Sequence, residues 1–230
     1  GGEYTVGQQV AALMGGMGRT YNGGYAEYTC VPARQVVPFT SSLDWATLGA
    51  VPEMLQTSHR SLAIGLDAQP GQSILIRGGT SSIGMATAVL AKRLGMTVLS
   101  TTRNPDRAEA LRHIGVDHVL VDDGNIADQA RTIFPDGVDT ALELVGTPTL
   151  PDTLRATRVH GVVCFTGMLS NQWTVRDFYP IEYLPRGVRL TAYGGDASVP
   201  IHRTYRLADI AEAHADMEAG HATGKLVVLP

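Results

Sequence analysis

The sequence predicts an α/β chain built on a doubly wound parallel sheet. Two observations carry the prediction. From Gly71 onwards, short runs rich in Val, Ile and Leu alternate with segments of helical spacing. The runs lack polar alternation, so each is expected to be covered on both faces, as in a parallel sheet. Strand–helix–strand crossovers of this kind are right-handed and lay helices on both sides of the sheet.

The elements follow in order. Up to about residue 40 the chain reads as short strands with Gly-rich turns: "QQVAALMGGMGR", "GGYAEYTCV" and "QVVPF". "SLDWATLGAVPEMLQTSHRSLAIG" has helical spacing, a cap at Ser42 or Asp44, and an interruption near Pro52. Strands are predicted at 73–77, 97–101, 118–121, 139–145 and 161–167, with a sixth at 188–193. Helices are predicted between them at 82–94, 106–114, 126–134 and 150–158. The closing "YRLADIAEAHADMEAGHATGKLVVL" reads as a helix followed by a strand.

Composition narrows the function classes. The 230 residues, 44% apolar and 17% charged, suit one large or two smaller globular domains. A net charge of −4 gives no sign of a nucleic-acid surface, and no nucleic-acid partner is expected. No apolar run approaches the roughly 18 residues of a membrane-spanning helix. Cys30 and Cys164 lie far apart and form no CxxC, which leaves neither a zinc ribbon nor a disulfide framework. The expected setting is the cytoplasm, and the expected partner is a small-molecule substrate.

The turn after the first predicted strand carries the chemistry. Gly79-Thr80-Ser81-Ser82-Ile83-Gly84 fits G-x-G-x-x-G, with Ser81 at the middle glycine. Small residues keep the turn tight, let backbone approach a pyrophosphate, and let Gly84 pack helix on strand. The helix then presents free N–H groups, from Ser82 and Ile83 onwards, to phosphate. Either a dinucleotide site or a plain strand-to-helix turn fits; the βαβ context favours the first. An acidic residue about 20 positions on would take the ribose hydroxyls of NAD. The chain has Thr101-Thr102-Arg103 there. No carboxylate repels a 2′-phosphate, Thr102 can donate a hydrogen bond, and Arg103 can pair with the phosphate, so NADPH is predicted over NADH. Arg107 is a second candidate, and a solvated Arg103 at a helix start is the plain alternative.

With these residues in place the chain resembles the medium-chain dehydrogenase/reductase superfamily, above all its zinc-independent quinone oxidoreductase branch. The matching segments are "GQQVAALMGGMGRTYNGGYAEYTCVPA", "GAVPEMLQTSHRSL", "PGQSILIRGGTSSIGMATAVLAKRLG", "DTALELVG", "VVCFTG" and "GKLVVL". The resemblance implies a Rossmann domain over 46–199. Residues 1–45 would be part of a GroES-like β-barrel domain, and 200–230 would return to it. It also implies a chain shortened at its N-terminus and near 199–200, because similar proteins carry further segments at both places.

The resemblance further implies hydride transfer from NADPH to a quinone or an α,β-unsaturated carbonyl, and a homodimer. Thr57 would approach the nicotinamide or its phosphates. Val145 and Gly146 would face the ribose and nicotinamide. Thr166, Gly167 and Met168 would line the nicotinamide site. Zinc-dependent relatives place a cysteine ligand where this chain has Glu53, so no metal is expected. Tyr25 and Thr57 are the candidate catalytic groups. Tyr21, Asn22 and Tyr25 are read either as barrel structure or as donors near the substrate. Lys225 is read either as a cleft residue or as a solvated strand end. Two other readings remain: a non-catalytic NADPH-binding sensor or structural relative, and an S-adenosylmethionine methyltransferase, against which Thr102 argues.

Overall fold

The computed structural model describes residues 4–193, 201–219 and 225–229. It comprises two compact units, Gly1–Glu53 with Pro200–Pro230, and Met54–Val199. The first division falls at 53/54, where the sequence reading set it at 45/46.

In the first unit, β1 (Val10–Ala12) runs antiparallel to β2 (Val36–Pro38), with Ala12 opposite Val36. Gln35 closes the loop between them. Its amide nitrogen donates to the Leu13 and Met14 carbonyls at 3.2 and 3.1 Å, and its oxygen accepts from the Tyr21 hydroxyl at 2.8 Å. The strand expected in "GGYAEYTCV" does not form; residues 24–28 are bends. No described strand pairs with this stretch, and an unpaired strand would leave its backbone groups to water.

Asp44, not Ser42, caps α1 (Trp45–Ala50). Its carboxylate accepts from the Thr47 amide at 2.9 Å and the Thr47 hydroxyl at 2.7 Å, which holds it below the usual carboxylate range. Pro52 has no N–H with which to continue α1, and the chain restarts as α2 (Pro52–Arg60). A single π turn, Ser61–Gly65, follows.

The second unit is the predicted sheet. Its strands are β3 (Ser73–Arg77), β4 (Thr97–Thr102), β5 (His118–Val121), β6 (Val138–Glu143), β7 (Thr157–Phe165) and β8 (Arg189–Ala192). All neighbours are parallel, in the order β5-β4-β3-β6-β7-β8. The intervening helices are α3 (Ser82–Arg93), α4 (Ala108–His113), α5 (Ile126–Ile133), α6 (Leu150–Ala156) and α7 (Pro180–Tyr183). Alternate strand residues serve opposite layers. Ile74, Ile76, Val98 and Leu142 pack with Met85, Ala88 and Leu111 of α3 and α4. Leu75, Leu99, Ala141 and Val163 pack with Ile126, Ala130 and Leu154 of α5 and α6. Both faces are covered, so every residue of β3 is buried and no polar alternation survives.

Several boundaries differ from the sequence reading, and two of the differences have a local cause. The helix predicted from 106 opens as a 3-10 turn, Pro105–Arg107, because the Asn104 side chain caps the Asp106 amide at 2.9 Å. The strand predicted from 161 begins at Thr157. Thr157 pairs with Val138 and Val162 with Thr140, and the residues between form a bulge with His160 at a φ of 66°.

Asp139 anchors the start of this layer. It accepts from the Ser73 amide and hydroxyl, both at 2.7 Å, and from Arg158 Nε at 2.7 Å. Burial pushes its carboxyl up, but these bonds overcome it and the net direction is down. A depressed folded pKa means stability present above the unfolded value of 3.8 and lost as pH falls below it. Asp139→Asn is therefore expected to lower the urea midpoint at neutral pH, with the gap closing on acidification below that value.

The first unit resumes with β9 (Ile201–Arg206), α8 (Ile210–Glu218) and β10 (Lys225–Leu229), and β9 and β10 pair in parallel. Arg203 bridges Glu212 at 2.7 Å and Asp216 at 3.1 Å and lies 4.7 Å from the Tyr205 ring centre. The Tyr205 hydroxyl is hydrogen-bonded to Asp216. Among the described residues, no helix is long and apolar enough to cross a membrane.

Candidate dinucleotide site

The strand order places a switch point between β3 and β6. Open α/β sheets bind ligands outside the carboxyl ends of the strands at such a point. The glycine turn leaves β3 there. Gly78, one residue before the predicted motif, takes the left-handed conformation at φ 87°. Ser81 caps α3: its hydroxyl accepts from the Gly84 amide at 3.1 Å and donates to the Gly78 carbonyl at 2.7 Å. The amides of Ser82 and Ile83 open the helix and have no intrahelical acceptor. A Cβ added at Gly84 would lie 2.6 Å from the Gly78 carbonyl oxygen, and one at Gly79 would lie 1.8 Å from Ser100 Oγ. The turn therefore lies flat against its neighbours, and only glycine fits at either position.

The carboxyl end of β4 carries Thr101 and Thr102, with Arg103 following. Arg103 is exposed just beyond the strand. Thr101 and Thr102 are buried, and both hydroxyls are engaged within the protein. Thr101 Oγ1 accepts from the Gly78 amide at 3.0 Å, and Thr102 Oγ1 donates to the Asn104 carbonyl at 2.9 Å. Thr102 thus shapes the turn that carries Arg103. Arg107 ends the 3-10 turn that follows.

The predicted residues after β6 and β7 meet beside the glycine turn. A Cβ on Gly78 would touch Val145 Cγ2 at 3.4 Å. Gly146 sits at φ 133°, where an added Cβ would lie 3.7 Å from the Met168 Cα. The Thr166 and Gly167 amides both donate to the Glu143 carbonyl, and a Cβ on Gly167 would strike the Leu144 carbonyl oxygen at 2.6 Å. Thr166 Oγ1 shares hydrogen bonds with Ser61 Oγ at 3.0 Å and with Cys164 Sγ at 3.3 Å. Ser58 Oγ donates to the Ile83 carbonyl at 3.2 Å, which ties α2 to the start of α3. Thr57 lies on α2 and is 2% exposed. Cys164 is a buried core residue, and burial pushes its thiol up. Tyr25 belongs to the first unit, where it packs edge-on against His214 at 5.7 Å. The Lys225 side chain lies outside the described residues.

Sequence reasoning missed a buried polar layer beneath these loops. Arg77, the last residue of β3, is 0% exposed. Its guanidinium grips Asp122 at 2.9 and 2.8 Å and also bonds Asp152. Beside it in register, Glu143 ends β6 and is equally buried. Burial pushes the Glu143 carboxyl up, against the pull of Thr153, Gly146, Thr149 and Val145. The only signal in the sequence is a charge at the end of each of two apolar runs. Next to this layer a groove of about 690 Å³ is lined by residues including Thr147, Trp173, Arg176 and Tyr183. The Tyr183 hydroxyl is buried without a partner, and burial and the nearby Glu143 push it up.

The resemblance implies one group at this site, a dinucleotide. The turn fits a dinucleotide: the backbone amides of Ser82 and Ile83 open α3 at the carboxyl end of β3. Among the described residues, no three His, Cys, Asp or Glu side chains converge.

Known proteins share the family and the fold. The family model described as zinc-binding dehydrogenase matches residues 82–199, more than half of the chain. L-threonine 3-dehydrogenase of Rhizobium etli (strain CIAT 652) is 25% identical over 232 residues, covering 93% of this chain and 66% of that enzyme. The chain thus spans just under two thirds of that relative's length. Quinone oxidoreductase of Lama guanicoe is 24% identical over 262 residues, covering 98% of this chain and 79% of that one. The solved structure of a mycobacterial protein complexed with NADPH aligns with a TM-score of 0.84 at 23% identity. That alignment covers 99% of this chain and 76% of the other, and it speaks for the fold. With over half of its residues matched by the family model, the chain belongs to the zinc-binding dehydrogenase family and is a quinone oxidoreductase-like member of the medium-chain dehydrogenase/reductase superfamily.

Proposed function

We propose that the protein is an NADPH-dependent oxidoreductase that reduces a quinone or an α,β-unsaturated carbonyl without a metal. The end of β4 is the observation that carries the cofactor choice. Arg103 is exposed there beside the glycine turn, and Thr102 stands where an NAD-type site places a carboxylate. An arginine pairs with a 2′-phosphate through two parallel hydrogen bonds. The named relatives, a quinone oxidoreductase and a protein complexed with NADPH, support the same reading.

When bound, the nicotinamide supplies the hydride; the protein supplies geometry. The first-turn amides of α3 receive the pyrophosphate. The loops at Val145–Gly146 and Thr166–Met168 border the nicotinamide end. The protein also pairs into a homodimer through β8, which has β7 as its one partner among the described residues and so keeps an open edge.

Titration of NADPH and NADH, followed by nicotinamide fluorescence, tests the cofactor claim. NADPH should bind the tighter. Arg103→Ala should lose about 1.5–3 kcal/mol of NADPH binding, the worth of a charged hydrogen bond, and leave NADH nearly unchanged. Equal loss for both cofactors would sink the assignment. NADPH binding with no turnover across quinones and enones would remove the reductase reading and keep the site.

A further inference from the structure

We infer that Glu143 is a positioning residue, whose buried carboxyl holds the Val145–Gly146 loop in place for the nicotinamide half of the cofactor. The inference rests on the dinucleotide reading above.

The argument starts from position. Arg77 and Glu143 are the last residues of β3 and β6, paired in register at the switch point. Three of the four donors to Glu143 come from the loop that follows it. The Val145 amide donates to Oε1 at 2.7 Å, the Gly146 amide at 3.0 Å and the Thr149 hydroxyl at 3.0 Å. The fourth, Thr153 Oγ1 on α6, bonds Oε2. Oε1 alone therefore gathers the loop, and Oε2 ties it to a helix.

The loop cannot shift by itself. Val145 lies against the glycine turn, and its carbonyl accepts from the Ser170 amide at 2.8 Å. The Leu144 carbonyl accepts from the Leu169 amide at 3.1 Å. One carboxyl thus sets the spacing of the three segments that border the crevice. The anchor is rigid: Thr153 also lies 3.5 Å from Arg77 Nη1, and Arg77 is held by Asp122 and Asp152.

A purely structural role explains this less well. A buried ionisable group that only filled space could be replaced by an apolar residue at no loss. Glu143 instead spends its acceptors on the backbone of the segment predicted to face the ribose and nicotinamide.

The test compares NADPH with its adenosine bisphosphate half, which lacks the nicotinamide riboside, on the full chain. Wild type should bind both. Glu143→Ala should weaken NADPH about 10- to 30-fold, as two backbone amides lose their acceptor, and change the fragment by less than about twofold. Glu143→Gln keeps an oxygen for the loop and should restore most of the affinity. Thr153→Val leaves the carboxyl and removes one donor, so about a threefold loss confined to NADPH is expected even if the alanine variant fails to fold. Unchanged NADPH binding in the alanine or valine variants overturns the inference and leaves the dinucleotide reading standing. Equal weakening of NADPH and fragment also overturns it, as a general structural loss. Failure of wild type to bind NADPH overturns both.

Discussion

Arg77→Met is expected to destabilise the second unit by about 3–5 kcal/mol, because it takes the buried cation from Asp122 and leaves Asp152 with the more exposed Arg155 alone. The Asp122 and Asp152 side chains are only 9% and 8% exposed. Burial alone would push the guanidinium's pKa down, but the two carboxylates more than offset it and the net direction is up. Asp152 has further duties: it accepts from the Ile126 amide at 2.8 Å and so caps α5 from α6. Loss of Arg77 therefore disturbs β3, the end of β5 and two helices together. Urea unfolding measures the cost. The triple variant Arg77→Met, Asp122→Asn, Asp152→Asn should recover much of it, since neutral groups need no counter-charge. The pH dependence has a fixed sign. Burial pushes the Asp152 carboxyl up, but Arg155 and Arg77 overcome this and hold it below the unfolded value of 3.8. Its stabilisation is present above that value and lost below it, so the gap between wild type and Arg77→Met should narrow as pH falls through it. A gap independent of pH would show that the ion pairs are not the cause.

Gly84→Ala should weaken NADPH binding by about 2 kcal/mol, roughly thirtyfold, while lowering stability. Helix propensity alone favours alanine over glycine by about 1 kcal/mol. Sterics reverse the preference. The added Cβ would meet the Gly78 carbonyl oxygen at 2.6 Å and Gly79 Cα and O at 2.8 Å, all of them backbone atoms. Relief requires moving the glycine turn away from α3, which also moves the first-turn amides proposed to receive the pyrophosphate. Gly24→Ala is the control, because a Cβ there meets nothing within 4 Å and needs no unusual φ. Wild-type NADPH affinity in Gly84→Ala would remove the turn from the proposed site.

The sheet was legible because burial on both faces writes itself into composition. Strands 73–77 and 118–121 coincide with β3 and β5, and β4 exceeds its prediction by one residue. The start of β7 was not legible. It depends on a bulge at 158–161, where His160 takes a left-handed conformation that no histidine advertises. The strand expected in "GGYAEYTCV" failed for a related reason: a strand exists only with a partner, and partner choice is not local.

The candidate site divides along the same line. The glycine turn was legible because a close backbone approach admits no other residue at Gly79 and Gly84, so geometry and sequence state the same constraint. Glu143 and Arg77 were not. A charge at the end of an apolar strand has meaning only through its partners, and those of Arg77 lie 45 and 75 positions along the chain. Thr102 shows the converse. Its residue type suited a ligand, and the fold uses its hydroxyl on Asn104. By itself, then, the sequence determined the layered sheet and the turn at the end of its first strand, because both follow from local periodicity and local sterics. Only the tertiary structure decided which polar groups are buried against one another and which stay open to a ligand, because desolvation and pairing depend on neighbours that the linear order keeps apart.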